Sequence, residues 1–163
     1  MTHTNNTTNG SILIEVFLAI VLLVTLVTGS LSLLYPAITN AEIGRQKLIA
    51  GLLLWEEEEA VRQIRDESWT NLTPGTYYPQ YNTTSNPPTV YQGWALESGS
   101  GVKNGYTENI AITIPNRLNS NTIDTTGTAD SNVRKFIYTV TWTSFGYSHT
   151  VSLTNYLTNW QTF

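Results

Sequence analysis

The side chains able to do chemistry are few. The chain has no cysteine, so thiol nucleophiles, disulfides and cysteine metal sites are excluded. His3 and His149 are its two histidines. A Ser, His149 and Asp would supply the parts of a nucleophilic triad, but nothing in their spacing brings them together. His149, flanked by Ser148 and Thr150, is read as a strand-edge histidine facing solvent. Four glutamates are consecutive, Glu56–Glu59. Successive helical residues point in different directions, so they read as solvated helix surface rather than a convergent metal site. Asp124 and Asp130 bracket DTTGTAD. That loop lacks the EF-hand pattern, and turn chemistry accounts for Asp and Gly there. The inventory predicts no enzyme, no cofactor and no metal. With 8 basic and 12 acidic residues and a net charge of −4, it also lacks the basic stripe that nucleic-acid binding requires.

One carboxylate is differently placed. From Ile12 to Leu34 the sole ionisable residue is Glu15, within NGSILIEVFLAIVLLVTLV. At about 1.5 Å per residue this stretch spans the roughly 30 Å of a hydrocarbon core. It is too long for the apolar region of a cleaved secretory signal, and no A-x-A exit follows, so it is read as retained. An acid at mid-helix costs on the order of 2.5–3.5 kcal/mol on insertion scales, and less near the end. Intramembrane carboxylates are usually paired, yet no Lys or Arg precedes Arg45. The nearby cation left to it is a free α-amino group, made by cutting the chain just upstream. Without such a cut the segment is an ordinary single-span anchor and Glu15 an interfacial residue.

Gly10, then Ser11-Ile12-Leu13-Ile14-Glu15, then a long apolar helix, resembles the signature of type IV prepilins and the related pseudopilins. The resemblance implies cleavage by a prepilin peptidase between Gly10 and Ser11, N-terminal methylation of Ser11, and retention of Glu15 as mature residue five. Three features depart from the family pattern, one of them Pro36, which falls a little later than the family's helix-kinking proline often does. The leader MTHTNNTTNG carries no Lys or Arg, and Ser11 is small and polar. Further along, LLLWEEEEAVRQIRDESW (52–69) is similar to a run in many pilin-like proteins, matching at Glu59, Ala60, Val61, Arg62, Ile64, Arg65, Asp66 and Trp69. The ending V-T-W…V-S-L-T-N-Y-L-T-N-W is similar, more loosely, to minor-pilin C-termini.

The elements that position these residues follow from periodicity. In residues 37–68 apolar side chains recur at helical spacing, at Leu48, Leu52 and Trp55 and at Leu53, Ala60 and Ile64. Glu58–Arg62 and Arg62–Asp66 have the four-residue spacing of helix-surface ion pairs. Pro36 is expected to kink or locally break the helix. Unbroken, Ser11 to Ser68 would be about 87 Å of helix, long for one small domain and natural in a bundle. After residue 70 charges thin out and turn signals appear at Thr73-Pro74-Gly75, Asn86-Pro87-Pro88 and Ser98–Gly101. Period-two stretches predict strands at 90–97, 110–114, 135–143 and 149–157, with a short hairpin loop at 144–148. Ile110, Ile112 and Ile114 share one face, as do Phe136, Tyr138, Val140 and Trp142, and Val151, Leu153 and Leu157. Residues 116–134 read as a polar loop. Tyr77, Tyr78, Tyr81, Tyr91 and Trp94 either pack on sheet faces or suit a ligand or subunit contact.

The expected fold is α+β: a long N-terminal helix, transmembrane then amphipathic, packed on a meander of about four antiparallel strands. The expected division is a leader at 1–10, a transmembrane helix at 11–36, an amphipathic helix at 37–69 and a β domain at 70–163. The resemblance implies a structural subunit, minor-pilin-like, of a type IV pilus filament. Its partners would be other pilin subunits, prepilin peptidase and the membrane. It would be a single-pass membrane protein first and part of an extracellular filament afterwards. A type II secretion pseudopilin, or a membrane-anchored surface binding domain without a filament, are the alternatives.

Overall fold

The computed structural model describes residues 8–82, 93–118 and 122–160, with side chains from residue 12 onward. The fold is α+β. Helix α1 runs Thr8–Glu67. From Ile12 it is long and apolar enough to cross a membrane. This segment is rich in β-branched Val and Ile, which disfavour helix slightly in water. An apolar medium reverses the preference, because each backbone group must be satisfied within the segment. The hydroxyls follow the same rule. Thr25, Thr28, Ser30 and Thr39 each donate to a carbonyl one turn back, Thr28 Oγ1 to the Val24 carbonyl at 2.7 Å. The break expected at Pro36 is absent, since α1 continues through it. A proline removes one helical N–H donor, and intact turns on either side carry the helix across. The helix stops at Ser68, whose backbone is extended.

The chain divides into two compact units, residues 1–45 and 46–163. In the second, nine strands follow α1 among the described residues: β1 Gly75–Asn82, β2 Gly93–Ser98, β3 Gly101–Lys103, β4 Tyr106–Thr113, β5 Asn116–Leu118, β6 Thr122–Asp124, β7 Thr128–Ala129, β8 Val133–Ser144 and β9 Tyr147–Thr158. Among the described residues the main sheet has six strands in the order β2-β1-β4-β8-β9, with β3 also on β4. All pairings are antiparallel. The sheet is therefore larger than four strands and is not a simple meander. Strand β1 inserts between β2 and β4, and β8 joins β4 only after an excursion. That excursion corrects the polar loop expected at 116–134, because β5, β6 and β7 form a second small sheet there. Gly127 permits it: a Cβ would lie 2.2 Å from the Arg117 carbonyl oxygen, and its φ is +110°.

Two-residue turns close two hairpins. Asn104-Gly105 joins β3 to β4 and Phe145-Gly146 joins β8 to β9, each with both φ values positive. The strands predicted at 135–143 and 149–157 fall within β8 and β9, and the one at 110–114 overlaps β4, which ends at Thr113. The one predicted at 90–97 overlaps β2, with Val90–Gln92 and the Asn86-Pro87-Pro88 turn outside the described residues.

The core lies between the sheet and the part of α1 after residue 46. Helix positions Ala50, Leu53, Leu54, Ala60, Val61 and Ile64 are buried, as are Ile110, Ile112, Phe136, Tyr138, Val140 and Trp142 on the sheet. This agrees with the faces read from periodicity, with two exceptions. Ile114 lies beyond the end of β4 and is exposed, and Leu48, Leu52 and Trp55 form an exposed stripe. Each fully buried Leu, Ile or Phe contributes about 1.5–3 kcal/mol.

Candidate functional site

The residues expected to define function separate into two regions. Gly10 and Ser11 lie in the opening turns of α1. The first four N–H groups of a helix have no intrahelical acceptor, and such ends fray. Glu15 lies one turn further and is exposed. Among the described residues Glu15 has no ion-pair partner, and the first Lys or Arg is Arg45.

The second region is where the four glutamates point. They are not uniformly solvated surface, which corrects the expectation for Glu56–Glu59. Helical geometry sends each side chain a different way. Both Glu56 oxygens accept from Lys103 Nζ at 2.6 Å, tying α1 to β3. Glu58 Oε1 accepts from Arg62 at 2.7 Å and from Asn155 Nδ2 on β9 at 2.8 Å. Glu59 is exposed. Glu57 falls at the core position between Leu53 and Val61 and is 1 % exposed. Neither of its oxygens has a hydrogen-bond partner among the described residues. Opposite it, on the core face of β4 between Tyr106 and Ile110, stands Glu108, 6 % exposed with Oε1 unpartnered.

Desolvation dominates both groups. It pushes the Glu57 carboxyl up to about 9, with the Glu108 and Glu56 charges adding to the rise. Desolvation also raises Glu108, against the pull of Lys103. At neutral pH Glu57 is therefore a protonated, uncharged acid. A buried acid can serve in proton transfer only where a substrate reaches it, and Glu57 is sealed. The period-four register Leu53-Glu57-Val61 and the period-two register of Glu108 with Ile110 and Ile112 carried the signal that these acids face inward.

His149 is not solvent-facing. It stacks on Trp142 at 5.3 Å between ring centroids, and its Nε2 is buried without a hydrogen-bond partner among the described residues. Among the described residues no serine or aspartate bonds to it. Asp124 and Asp130 are both committed to turns. Asp124 accepts from the Thr125 and Thr126 amides, bonds that favour its ionised form and hold its carboxyl below the ordinary range. Asp130 accepts from the Asn132 amide and from the Arg117 guanidinium. Its carboxyl is also lowered, the bond to Asn132 and the Arg117 charge outweighing the desolvation that opposes them. Among the described residues no three His, Asp or Glu side chains gather as a metal site.

The aromatic group splits. Tyr77 packs against the core, and its hydroxyl bonds to Thr73 Oγ1 at 2.8 Å. Tyr78, Tyr81 and Trp94 border a cleft with Glu56, Lys103 and Glu108. Tyr91 is outside the described residues. No family model, curated protein or solved structure matches the chain.

Proposed function

We propose that this chain is a structural subunit of a type IV pilus-type filament, made as a membrane-anchored precursor. The observation that carries the reading is the five-residue spacing of Gly10 and Glu15 at the edge of an apolar segment, Ile12 to Leu34, without a single Lys or Arg. Cleavage after Gly10 gives Ser11 a free, then methylated, amine. Glu15 of one subunit pairs with that amine on a neighbour while both sit among apolar helices. A buried charge left without its partner costs several kcal/mol, so the pairing favours one axial register. The residues between Ile12 and Leu34, whose apolar side chains are largely exposed in the isolated chain, are covered first by lipid and then by neighbouring helices. Residues 46–163 carry the surface-exposed domain. In this reading the protein performs no catalysis and is itself the substrate of prepilin peptidase.

Intact mass of the protein extracted from membranes tests the reading. The expected species lacks residues 1–10 and carries one methyl group on Ser11. A species that retains Met1 or Thr2 overturns it and leaves an anchored surface domain.

A further inference from the structure

Strand β1 pairs with β4 only from Gly75 to Tyr77. Beyond Tyr77 it continues on β2 alone, and β3 takes over the same edge of β4 from Tyr106 to Glu108. The gap where β1 leaves β4 is a cleft of about 250 Å³. Gly101 lets Tyr78 lie against β3, since a Cβ there would come within 2.6 Å of the Tyr78 ring. Tyr81 and Trp94 stand at one side, edge to face, 5.3 Å apart at 74°. Tyr81 is 46 % exposed. Glu56 and its partner Lys103 stand at the other side. Glu108 also lines the cleft, with its unpartnered Oε1.

These groups select a ligand chemistry. Lys103 and Glu56 already neutralise one another in an ion pair at 2.6 Å, so neither is left over to hold a charged ligand. A purely apolar ligand leaves Glu108 Oε1 desolvated and unmet. A hydroxyl can donate or accept, and so satisfies Glu108 in either protonation state. A ligand with a flat C–H face suits the aromatic pair. The volume is below the roughly 300–1,000 Å³ of drug-sized sites, which fits a single ring.

We propose that this cleft binds one neutral pyranose ring of a saccharide, with Tyr81 and Trp94 against its C–H face and Glu108 on a hydroxyl. The proposal does not depend on the filament reading, because an anchored surface domain would present the same cleft.

The test uses the full-length chain in polyacrylate amphipol, which carries neither sugar nor choline groups. Tryptophan indole N–H resonances are followed during addition of the methyl glycosides of glucose, galactose, mannose and N-acetylglucosamine. At least one should shift the Trp94 signal saturably at millimolar concentration and leave that of Trp55 in place. Tyr81→Ala and Glu108→Leu should each weaken this binding at least about tenfold. Glu108→Leu should at the same time leave the protein equally or more stable, an outcome that separates ligand contact from support of the fold. A Trp94 signal unmoved by all four glycosides overturns the proposal. So does a shift produced by choline and not by the sugars, which would make the cleft an organic-cation site. Undiminished binding in both variants overturns its location.

Discussion

A carboxyl sealed from water titrates as part of the fold, and Glu57 is sealed. Its folded value of about 9 stands above the ordinary 4.5, so between those limits the native state holds a proton that the unfolded chain releases. Stability from this group is therefore fully present below the ordinary value and is lost as pH rises toward 9. The groups around it are Glu56 and Glu58 on α1, Glu108 on β4 and the Tyr138 hydroxyl on β8, with Lys103 and Arg62 as the nearby cations. Asp124 and Asp130 have lowered values, and they act in the opposite sense at acid pH, well separated from this window. Thermal unfolding of wild type should accordingly show a midpoint that falls from pH 5 to pH 9. Glu57→Leu should flatten that profile and stabilise the protein at pH 8 by about 1–3 kcal/mol, because an unsatisfied buried polar group is removed. An unchanged slope in Glu57→Leu would assign the titration to another group. Tyr138 is a parallel case. Its hydroxyl is buried without a partner among the described residues and its ionisation is pushed up by burial. Tyr138→Phe should then be neutral or stabilising by chemical denaturation, whereas Phe136→Ala beside it should cost about 3–5 kcal/mol.

The two hairpin turns of the main sheet form an internal comparison at the level of elements. Asn104-Gly105 has φ values of 52° and 84°, and Phe145-Gly146 has 50° and 80°. The backbone shape is the same, yet one turn uses the pair that favours it and the other places a phenylalanine in the left-handed region. Such a residue costs roughly 1–2 kcal/mol. Phe145→Asn should raise stability by about 1 kcal/mol, and Asn104→Phe should lower it by a similar amount; equal midpoints for all three proteins would contradict the argument. Asn104-Gly105 is a hairpin signal that the turns named from sequence did not include, and strand β3 went unpredicted with it. Strand β8 was legible because four large apolar residues alternate with polar ones. Strand β1 was harder to read because Pro79 lies in its middle. Pro79 is tolerated since β1 has left β4 by that point and pairs there with Leu96 of β2 alone. The same departure opens the cleft, so the feature that hid the strand also hid the site. The small sheet of β5–β7 has strands of two or three residues, too short for any periodicity to register. Glu57 was obscured for a different reason: charge was read as exposure, although its register placed it with Leu53, and Glu108 lay outside the stretch read as strand at 110–114, although it continues the register of Ile110.

On the scale of the whole molecule, every residue of the hydrophobic core lies after residue 46. The Trp142 indole N–H, which donates to Gln46 Oε1 at 3.0 Å, is also satisfied within that unit. Residues 1–45 contribute an apolar helix with no buried position among its described residues, and so no share of that core. Expressed alone, residues 46–163 should fold cooperatively, leave the membrane fraction, and unfold within about 1 kcal/mol of the full chain, since no core side chain is lost. A non-cooperative transition would show that the N-terminal turns of α1 nucleate the rest. The shortened protein should not be fully inert, however. Leu48, Leu52 and Trp55 recur on one helix face and are 66 %, 60 % and 73 % exposed, an apolar stripe that water does not favour. Association that rises with concentration is expected from this stripe, and Trp55→Glu, at an exposed position, should abolish it without moving the unfolding midpoint. Sedimentation velocity of the two forms distinguishes that outcome from association through the sheet edges, which Trp55→Glu would leave intact.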